Sequence, residues 1–313
     1  MKRVLIIGSS GFIGRSLVDA LLADREIALT GFGRTPVSEH VSKIRFIRGY
    51  FEDQGILTEA MRNQDIVYHL ISQSIPSSSW ETPEIEIEKN LTPSIRLIEL
   101  AAAAGVKKIC FASSGGTVYG PSDSPLTEDS PTEPFSPYGI VKRAFESFLE
   151  YARCRFGINY DIYRISNAYG EGQDVSKGLG FINTTLENIV DGRVVIIYGD
   201  GETVRDFIHV RDVGRLLAYG VKGNLNESNV FNLSSGHAIS LNELLSLIRE
   251  VVGMDFRVEY RPGRLNDNKM VMLNNSKIMS LMSDVPLIDL KDGVQEAYNY
   301  IKKRSLYVEK TVR

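Results

Sequence analysis

The chain has 313 residues and a net charge of −3, and 43% of its residues are hydrophobic and 24% charged. This composition is typical of a globular protein, and the slight negative charge provides no basic field for binding nucleic acid. The sequence contains no apolar run of membrane-spanning length and no leader before its first strand, so we expect a cytoplasmic protein without a membrane segment. Cys110 and Cys154 lack metal-ligand spacing, which predicts free thiols and no metal site.

Strand-like and helix-like segments alternate through the first half of the chain. Apolar runs predict strands at Val4–Ile7, Glu26–Phe32, Ile44–Ile47, Ile66–Leu70, Ile109–Ala112 and Tyr160–Ile165. Helical spacing predicts helices at Phe12–Ala23, Gly55–Arg62, Ile85–Ala104 and Tyr138–Phe156. This alternation predicts an α/β fold with a Rossmann-type doubly wound parallel sheet, whose ligand crevice lies at the carboxyl ends of the strands.

The alternation becomes looser after about residue 170. Helices are predicted at Phe181–Val190, Leu241–Val252 and Val294–Lys303, and strands at Val194–Tyr198, Val230–Leu233 and Phe256–Tyr260. We therefore predict a larger first domain over residues 1–170, to which residues of about 205–235 return. A smaller C-terminal α/β domain, mainly over residues 171–313, is predicted to bind the substrate.

A glycine-rich turn, Gly8-Ser-Ser-Gly11-Phe-Ile-Gly14, follows the first predicted strand and opens the first helix. Glycines permit the tight turn and let the backbone approach a pyrophosphate, which the helix N-terminus attracts. The larger domain is therefore predicted to bind a dinucleotide. The cofactor-binding residues predicted in this turn are Gly8, Ser10, Gly11, Phe12, Ile13 and Gly14.

The end of the second predicted strand discriminates between the two nicotinamide dinucleotides. A carboxylate at this point would accept a hydrogen bond from the adenosine ribose 2′-hydroxyl. The stretch Thr30–Thr35 has no acid and contains Arg34, whose guanidinium could pair with a 2′-phosphate. The sequence thus favours NADP(H), with NAD(H) as the alternative.

Tyr138 and Lys142 stand four residues apart at the start of a predicted helix, and Ser114 ends a predicted apolar strand. Residues i and i+4 share one face of a helix, so both side chains can meet one cofactor. A phenol whose pKa is lowered by a nearby ammonium can move the hydroxyl proton of an alcohol while hydride moves to or from its carbon. The three residues therefore predict nicotinamide-dependent redox chemistry on an alcohol or ketone.

Together these motifs resemble the extended short-chain dehydrogenase/reductase family, and within it the branch of nucleotide-sugar epimerases, dehydratases and reductases. The resemblance covers about residues 3–303. It is carried by the glycine turn and by four further segments: Val106–Gly120 with its Ser113-Ser-Gly-Gly turn, Arg164-Ile-Ser-Asn-Ala-Tyr-Gly170, Tyr198–Val213, and Arg264-x-x-Asp267.

The resemblance implies a role for each matching residue. Tyr138 is the acid/base, Lys142 holds the nicotinamide ribose and Ser114 hydrogen-bonds the reacting oxygen, with Thr117 as the reserve candidate for that hydroxyl. The substrate-binding residues implied for the nucleotide sugar are Ser74, Thr117, Asn167, Arg205, Arg264 and Asp267. The family also implies a homodimer, formed through the predicted helices Ile85–Ala104 and Tyr138–Phe156.

Three reactions share this scaffold. Dehydratases of the family carry Asp-Glu after the catalytic hydroxyl, where this chain has Gly115-Gly116, so dehydration is not expected. The NADP(H) preference favours reduction of an NDP-4-keto-6-deoxyhexose, in a pathway such as surface-polysaccharide assembly. The alternative is an NDP-hexose 4-epimerase resembling UDP-glucose 4-epimerase, and a more remote alternative is a dinucleotide-binding protein without turnover.

Overall fold

The computed structural model describes residues 1–74, 76, 78–178, 180–263 and 268–311. Its strands are β1 Lys2–Ile7, β2 Ile27–Gly33, β3 Arg45–Arg48, β4 Ile66–His69, β5 Lys108–Ser114, β6 Asn159–Ile165, β7 Asn167–Tyr169, β8 Val195–Tyr198, β9 Val204–His209, β10 Asn229–Leu233, β11 Ala238–Ser240, β12 Val258–Arg261 and β13 Met270–Val271. Its helices are α1 Phe12–Leu22, α2 Gln54–Met61, α3 Pro83–Ile85, α4 Thr92–Ala104, α5 Gly115–Val118, α6 Pro137–Phe156, α7 Phe181–Val190, α8 Val210–Leu217, α9 Tyr219–Lys222, α10 Leu241–Val252, α11 Ser276–Leu281 and α12 Leu290–Thr311. A π-helical turn, Glu86–Leu91, joins α3 to α4.

In the described residues, seven parallel strands form one large sheet in the order β3-β2-β1-β4-β5-β6-β10. Val4–Ile7 lie near its middle and are fully buried, which explains the continuous apolar run of β1. The strand order reverses between β1 and β4, and doubly wound sheets bind ligands at that point. Gly8 follows β1 there and Leu70 follows β4. The predicted doubly wound parallel sheet is confirmed.

Helices cover both faces of the large sheet. On one face α1 packs against α8 so closely that a Cβ built on Gly214 would lie 2.3 Å from Ser16 Oγ. On the other face α2, α4 and α6 bury a second apolar cluster, which includes Phe111, Phe145 and Leu149. Loops and helix N-termini meet at the carboxyl edge of the sheet, which the two helical layers do not cover.

The C-terminal part of the chain has an apolar core of its own, formed mainly by α7, α10 and α12 with strands β8 and β9. β8 pairs in parallel with β12, and β9 pairs with β7, β11 and β13. β10 leaves this part and pairs in parallel with β6 of the large sheet. Among the described residues, each helix is too short or too polar to cross a bilayer.

The predicted elements agree with the structure most closely where the apolar period is strongest. The helix predicted over Phe12–Ala23 is Phe12–Leu22, and the one predicted over Tyr138–Phe156 is Pro137–Phe156. The helix predicted over Ile85–Ala104 begins earlier, at Pro83, and contains the π-helical turn. The sequence did not predict the three short strands β7, β11 and β13 or the six-residue strand β9, all of which follow β6 in the chain.

Candidate active site

The glycine turn after β1, Gly8–Gly14, forms a cradle in which Gly8 and Gly14 leave no room for another residue type. Gly8 has φ +92°, in the left-handed region, and a Cβ built on Gly14 would lie 2.1 Å from the Gly8 carbonyl oxygen. Gly11, which precedes α1, has no side chain that could cap the helix, so the first backbone N–H groups of α1 point out of its N-terminus. These residues fit a pyrophosphate, because close backbone approach and a helix N-terminus both favour that group.

The other predicted cofactor residues lie around this cradle. Ser10 Oγ would be 3.0 Å from a Cβ on Gly33, at the end of β2, so the turn and β2 are in contact. Phe12 and Ile13 are partly buried in the first turn of α1, and Ile13 packs on the core below. The structure therefore brings the six predicted turn residues together at the end of β1.

Arg34 is exposed and directly follows β2, where the sequence analysis places the adenosine ribose. A carboxylate lies near it that the sequence analysis did not consider. Glu52, in the loop after β3, accepts a hydrogen bond from Gln73 Nε2 at 2.6 Å. This bond, with smaller contributions from Lys89 and Arg34, lowers the pKa of Glu52. Arg34 therefore lies within electrostatic range of an ionised carboxylate.

Tyr138 and Lys142 lie in the first two turns of α6, which begins at the cap residue Ser136. Ser136 Oγ accepts a hydrogen bond from Gly139 N at 3.1 Å, which fixes the start of the helix. The Lys142 ammonium donates to the Ala112 carbonyl oxygen of β5 at 2.9 Å. Lys142 Nζ lies 5.4 Å from the centre of the Tyr138 ring. The predicted pair thus faces the carboxyl end of β5 in one pocket.

The prediction that Lys142 lowers the pKa of Tyr138 toward neutrality is wrong for the chain by itself. Burial, with a contribution from Glu86, raises the pKa of Tyr138 to about 12, although a hydrogen bond with Ser72 opposes the shift. Burial also lowers the pKa of Lys142 to about 8. The sequence argument considered the neighbouring ammonium but could not include desolvation of both groups, which here has the larger effect.

Two polar residues of this pocket, Glu86 and Asn90, were not predicted from the sequence, whereas His69 and Ser72 belong to the segment His69–Pro76 that we expected to line it. His69 Nε2 is 2.8 Å from Ser94 Oγ, and burial lowers the pKa of His69 to about 3, so this histidine is neutral. The spacing of Glu86 and Asn90, one helical turn apart in Pro83–Asn90, was a signal that could have identified them.

Ser114 and Thr117 occupy the turn between β5 and α6. Ser114 ends β5 and precedes the short helix α5, whereas Thr117 lies within α5. The Oγ1 of Thr117 is buried without a hydrogen-bond partner among the described residues. Ser113 donates its hydroxyl to Glu146 at 2.6 Å and is engaged in the core. The choice between Ser114 and Thr117 as the catalytic hydroxyl stays a prediction.

The predicted substrate residues that the structure describes lie on two sides of the crevice. Ser74 accepts a hydrogen bond from Asn90 Nδ2 at 2.8 Å, next to the pocket of Tyr138. Asn167 and Arg205 lie on the paired strands β7 and β9, and Asn167 Nδ2 donates to the Asp206 carbonyl oxygen at 2.9 Å. Their proposed contacts with phosphates stay predictions. Arg264 and Asp267 lie outside the described residues.

Arg164, the first residue of the motif shared with the family, is buried and structural. It donates to Glu146 through Nε and Nη2, at 3.2 Å and 2.8 Å, and to Tyr119 Oη at 2.8 Å. This bidentate ion pair ties the end of β6 to α6 beside Lys142.

The sequence of this chain is similar to those of nucleotide-sugar enzymes. A model of the NAD dependent epimerase/dehydratase family matches residues 4–234. The UDP-glucose 4-epimerase of Mycolicibacterium smegmatis is 32% identical over 316 residues, which are 97% of this chain and 99% of that protein. The dTDP-4-dehydro-6-deoxyglucose reductase of Escherichia coli is 28% identical over 311 residues, 96% of this chain and 97% of that one.

Solved structures of nucleotide-sugar epimerases are also similar to this chain over nearly its whole length. The UDP-glucose 4-epimerase of Thermotoga maritima with UDP-glucose has a TM-score of 0.89 at 29% identity, covering 97% of this chain and 99% of that one. The UDP-glucose 4-epimerase of Thermus thermophilus in complex with NAD has a TM-score of 0.87 at 29% identity, covering 96% and 99%. The resemblance drawn from the motifs is confirmed: the chain belongs to the NAD dependent epimerase/dehydratase family and is an enzyme of that family.

Proposed function

We propose that this enzyme is an NAD-dependent 4-epimerase of a UDP-hexose. The observation that carries the proposal is the shared pocket of Tyr138 and Lys142 at the carboxyl end of β5. Ile71 lines this pocket and also lies against Gly8 of the glycine cradle. The order of preference in the sequence analysis is reversed, because the epimerase relative is more similar in sequence than the reductase relative. Reduction of an NDP-4-keto sugar becomes the second candidate.

The chemistry at C4 requires one proton and one hydride to leave the carbinol and to return. When bound, oxidised NAD supplies a reversible hydride acceptor and one positive charge. Tyr138 takes the C4 hydroxyl proton and gives it back after the keto sugar has turned, so proton and hydride are both conserved over the cycle. The Lys142 ammonium stabilises the phenolate form of Tyr138, and Ser114 holds the sugar oxygen.

Dehydration is disfavoured by the packing of the turn after β5 as well as by its sequence. A Cβ built on Gly115 would lie 2.2 Å from Leu273 Cδ1 and 3.2 Å from the Arg164 carbonyl oxygen. A side chain at Gly115 would therefore have to displace Leu273, whereas Gly116 has open space around it.

NAD rather than NADP(H) is the cofactor that we propose, which reverses the preference drawn from Arg34. The Thermus thermophilus relative was solved with NAD. Within this chain, Glu52 is an ionised carboxylate within electrostatic range of Arg34, and a carboxylate at the ribose end repels a 2′-phosphate. The sequence argument considered only the end of β2, whereas Glu52 lies on the loop after β3.

The test is turnover of UDP-glucose and UDP-galactose by the purified enzyme without added cofactor. We expect interconversion of the two sugars, with NAD released when the enzyme is denatured. Tyr138→Phe should lower turnover by about 10²–10⁴-fold while NAD still binds, which is the range for loss of an acid/base group. Interconversion at the wild-type rate by this variant would refute the assignment.

The second candidate is distinguished by its cofactor balance. A reductase consumes one NADH or NADPH for each 4-keto sugar and does not interconvert the two UDP-hexoses. If neither reaction occurs while NAD binds, the dinucleotide-binding alternative without turnover gains support.

We also propose the two-domain division made from the sequence and a homodimer. The division, at about residue 170, is supported by the separate apolar core of the C-terminal part. The dimer is supported by large apolar side chains that are about half exposed along the outer side of the π-helical turn and α6, namely Ile87, Ile140 and Tyr151. Sedimentation of the purified enzyme tests the dimer.

A further inference from the structure

Glu86 is a buried carboxylate beside the catalytic pair. It is only 2% exposed and opens the π-helical turn between α3 and α4. Asn90 Nδ2 donates to Glu86 Oε2 at 3.0 Å, and Asn90 Oδ1 accepts from Gln73 N at 2.8 Å. Since π-helical turns insert one residue into a helix and recur at functional sites, the position of this acid warrants a functional explanation.

Glu86 lines one small cavity together with Tyr138 and Lys142. The cavity has a volume of about 20 Å³, which is room for one water molecule. The titratable groups that face the pair come from three elements. They are His69 at the end of β4, which is neutral, Glu86 in the π-helical turn, and Glu146 on α6 itself.

The two carboxylates differ in how far their charge is already compensated. Glu146 receives two hydrogen bonds from the Arg164 guanidinium and one from Ser113, so its charge is largely taken up by that ion pair. Glu86 accepts a hydrogen bond from the neutral amide of Asn90. The charge of Glu86 is therefore the one directed at the pocket of Lys142.

We propose that Glu86 is a positioning residue for the Tyr138–Lys142 pair: its carboxylate keeps the Lys142 ammonium charged inside this buried pocket. A buried ammonium loses hydration and favours its neutral form unless an opposite charge lies nearby. Only the charged form can stabilise the phenolate of Tyr138. Glu86 thus sets the upper pH limit of the active state, since deprotonation of Lys142 ends it.

The same charge has an opposing effect on Tyr138. A carboxylate near a phenol disfavours the phenolate, and Glu86 contributes to the raised pKa of Tyr138. Removing the charge should therefore make both Tyr138 and Lys142 lose their protons at lower pH. The pH range in which the enzyme is active then moves to lower pH, a shift that a loss of packing alone would not cause.

The first experiment uses the cofactor-free protein with ¹³C-labelled lysine, so it does not depend on turnover. The Lys142 resonance, identified by its loss in Lys142→Met, is titrated by NMR in the wild type, Glu86→Asp and Glu86→Gln. We expect a wild-type midpoint near 8 and a lower midpoint in Glu86→Gln, by about one pH unit or more, with Glu86→Asp between them. Glu88→Gln, which removes an exposed carboxylate from the same turn, should leave the midpoint unchanged.

An unchanged or raised midpoint in Glu86→Gln overturns the proposal, and if that variant does not fold, an unchanged midpoint in Glu86→Asp does so. The second experiment rests on the proposed function and measures the pH profile of UDP-hexose turnover. We expect both limbs of the profile to move toward acid in Glu86→Gln and not in Glu88→Gln. A wild type without this turnover refutes the proposed function but leaves the NMR result to decide the role of Glu86.

Discussion

The glycine cradle allows a quantitative prediction, because the space beside Gly14 is measured by the structure. A Cβ at this position would lie 2.1 Å from the Gly8 carbonyl oxygen, whereas real contacts of this kind are not closer than 3.0 Å. Gly14→Ala must therefore move the turn by about 0.9 Å. A displacement of that size breaks a hydrogen bond between the backbone of the turn and the charged pyrophosphate, which costs about 1.5–3 kcal/mol. We therefore expect the Kd for NAD to rise by about 100-fold, or about 2.7 kcal/mol.

Isothermal titration of the cofactor-free variants with NAD measures the effect. Gly11→Ala is the graded comparison, since its Cβ would lie 3.2 Å from the same oxygen and needs only a small adjustment, so its Kd should rise less than tenfold. Gly55→Ala is the control, because on α2 the new methyl makes an ordinary contact at 3.4 Å with Asp53 Oδ1. If Gly14→Ala retains its fold by circular dichroism and binds NAD within twofold of the wild type, the turn does not hold the pyrophosphate.

Two further predictions concern the catalytic hydroxyl and the core. Ser114→Ala should lower turnover by roughly 10²-fold, as removal of one donor to a reacting oxygen does. Thr117→Val should keep turnover within tenfold of the wild type and raise the melting temperature, since it removes a buried hydroxyl without a partner among the described residues. If Thr117→Val lowers turnover more than Ser114→Ala does, Thr117 is the catalytic hydroxyl. Lys108 and Asp161 form a fully buried ion pair of 2.9 Å between β5 and β6, so Asp161→Asn should cost about 3–5 kcal/mol in the free energy of unfolding. The same change at the exposed Asp255 should cost less than about 0.5 kcal/mol, and equal losses in urea denaturation would contradict the burial argument.

The sequence predicted the parts of the fold and site that depend on local patterns. The apolar run Val4–Ile7 and the following glycines identify a buried parallel strand and its turn, because both signals lie within a dozen residues. The spacing of Tyr138 and Lys142 predicts that they share a helix face, and the structure places them in one pocket.

The rest depends on residues that are distant in sequence and meet only in the folded chain. The raised pKa of Tyr138 arises from burial and from Glu86, which is more than 50 residues away. The carboxylate near Arg34 likewise comes from Glu52 on the loop after the neighbouring strand. Short strands such as β7 and β13 were missed because two or three residues carry no detectable period, and their pairing with β9 is decided by tertiary contacts.

β10 is the edge strand that pairs with β6 in the large sheet, and it is synthesised more than 60 residues after β6. Until residues 229–233 emerge, β6 presents an open row of backbone donors and acceptors, which invites pairing with other chains. A fragment cut after residue 170 would keep that edge bare and should aggregate, however complete its glycine turn and its tyrosine are. The boundary between the two proposed domains therefore separates two functions, but we do not expect the first domain to fold stably when the chain is cut there.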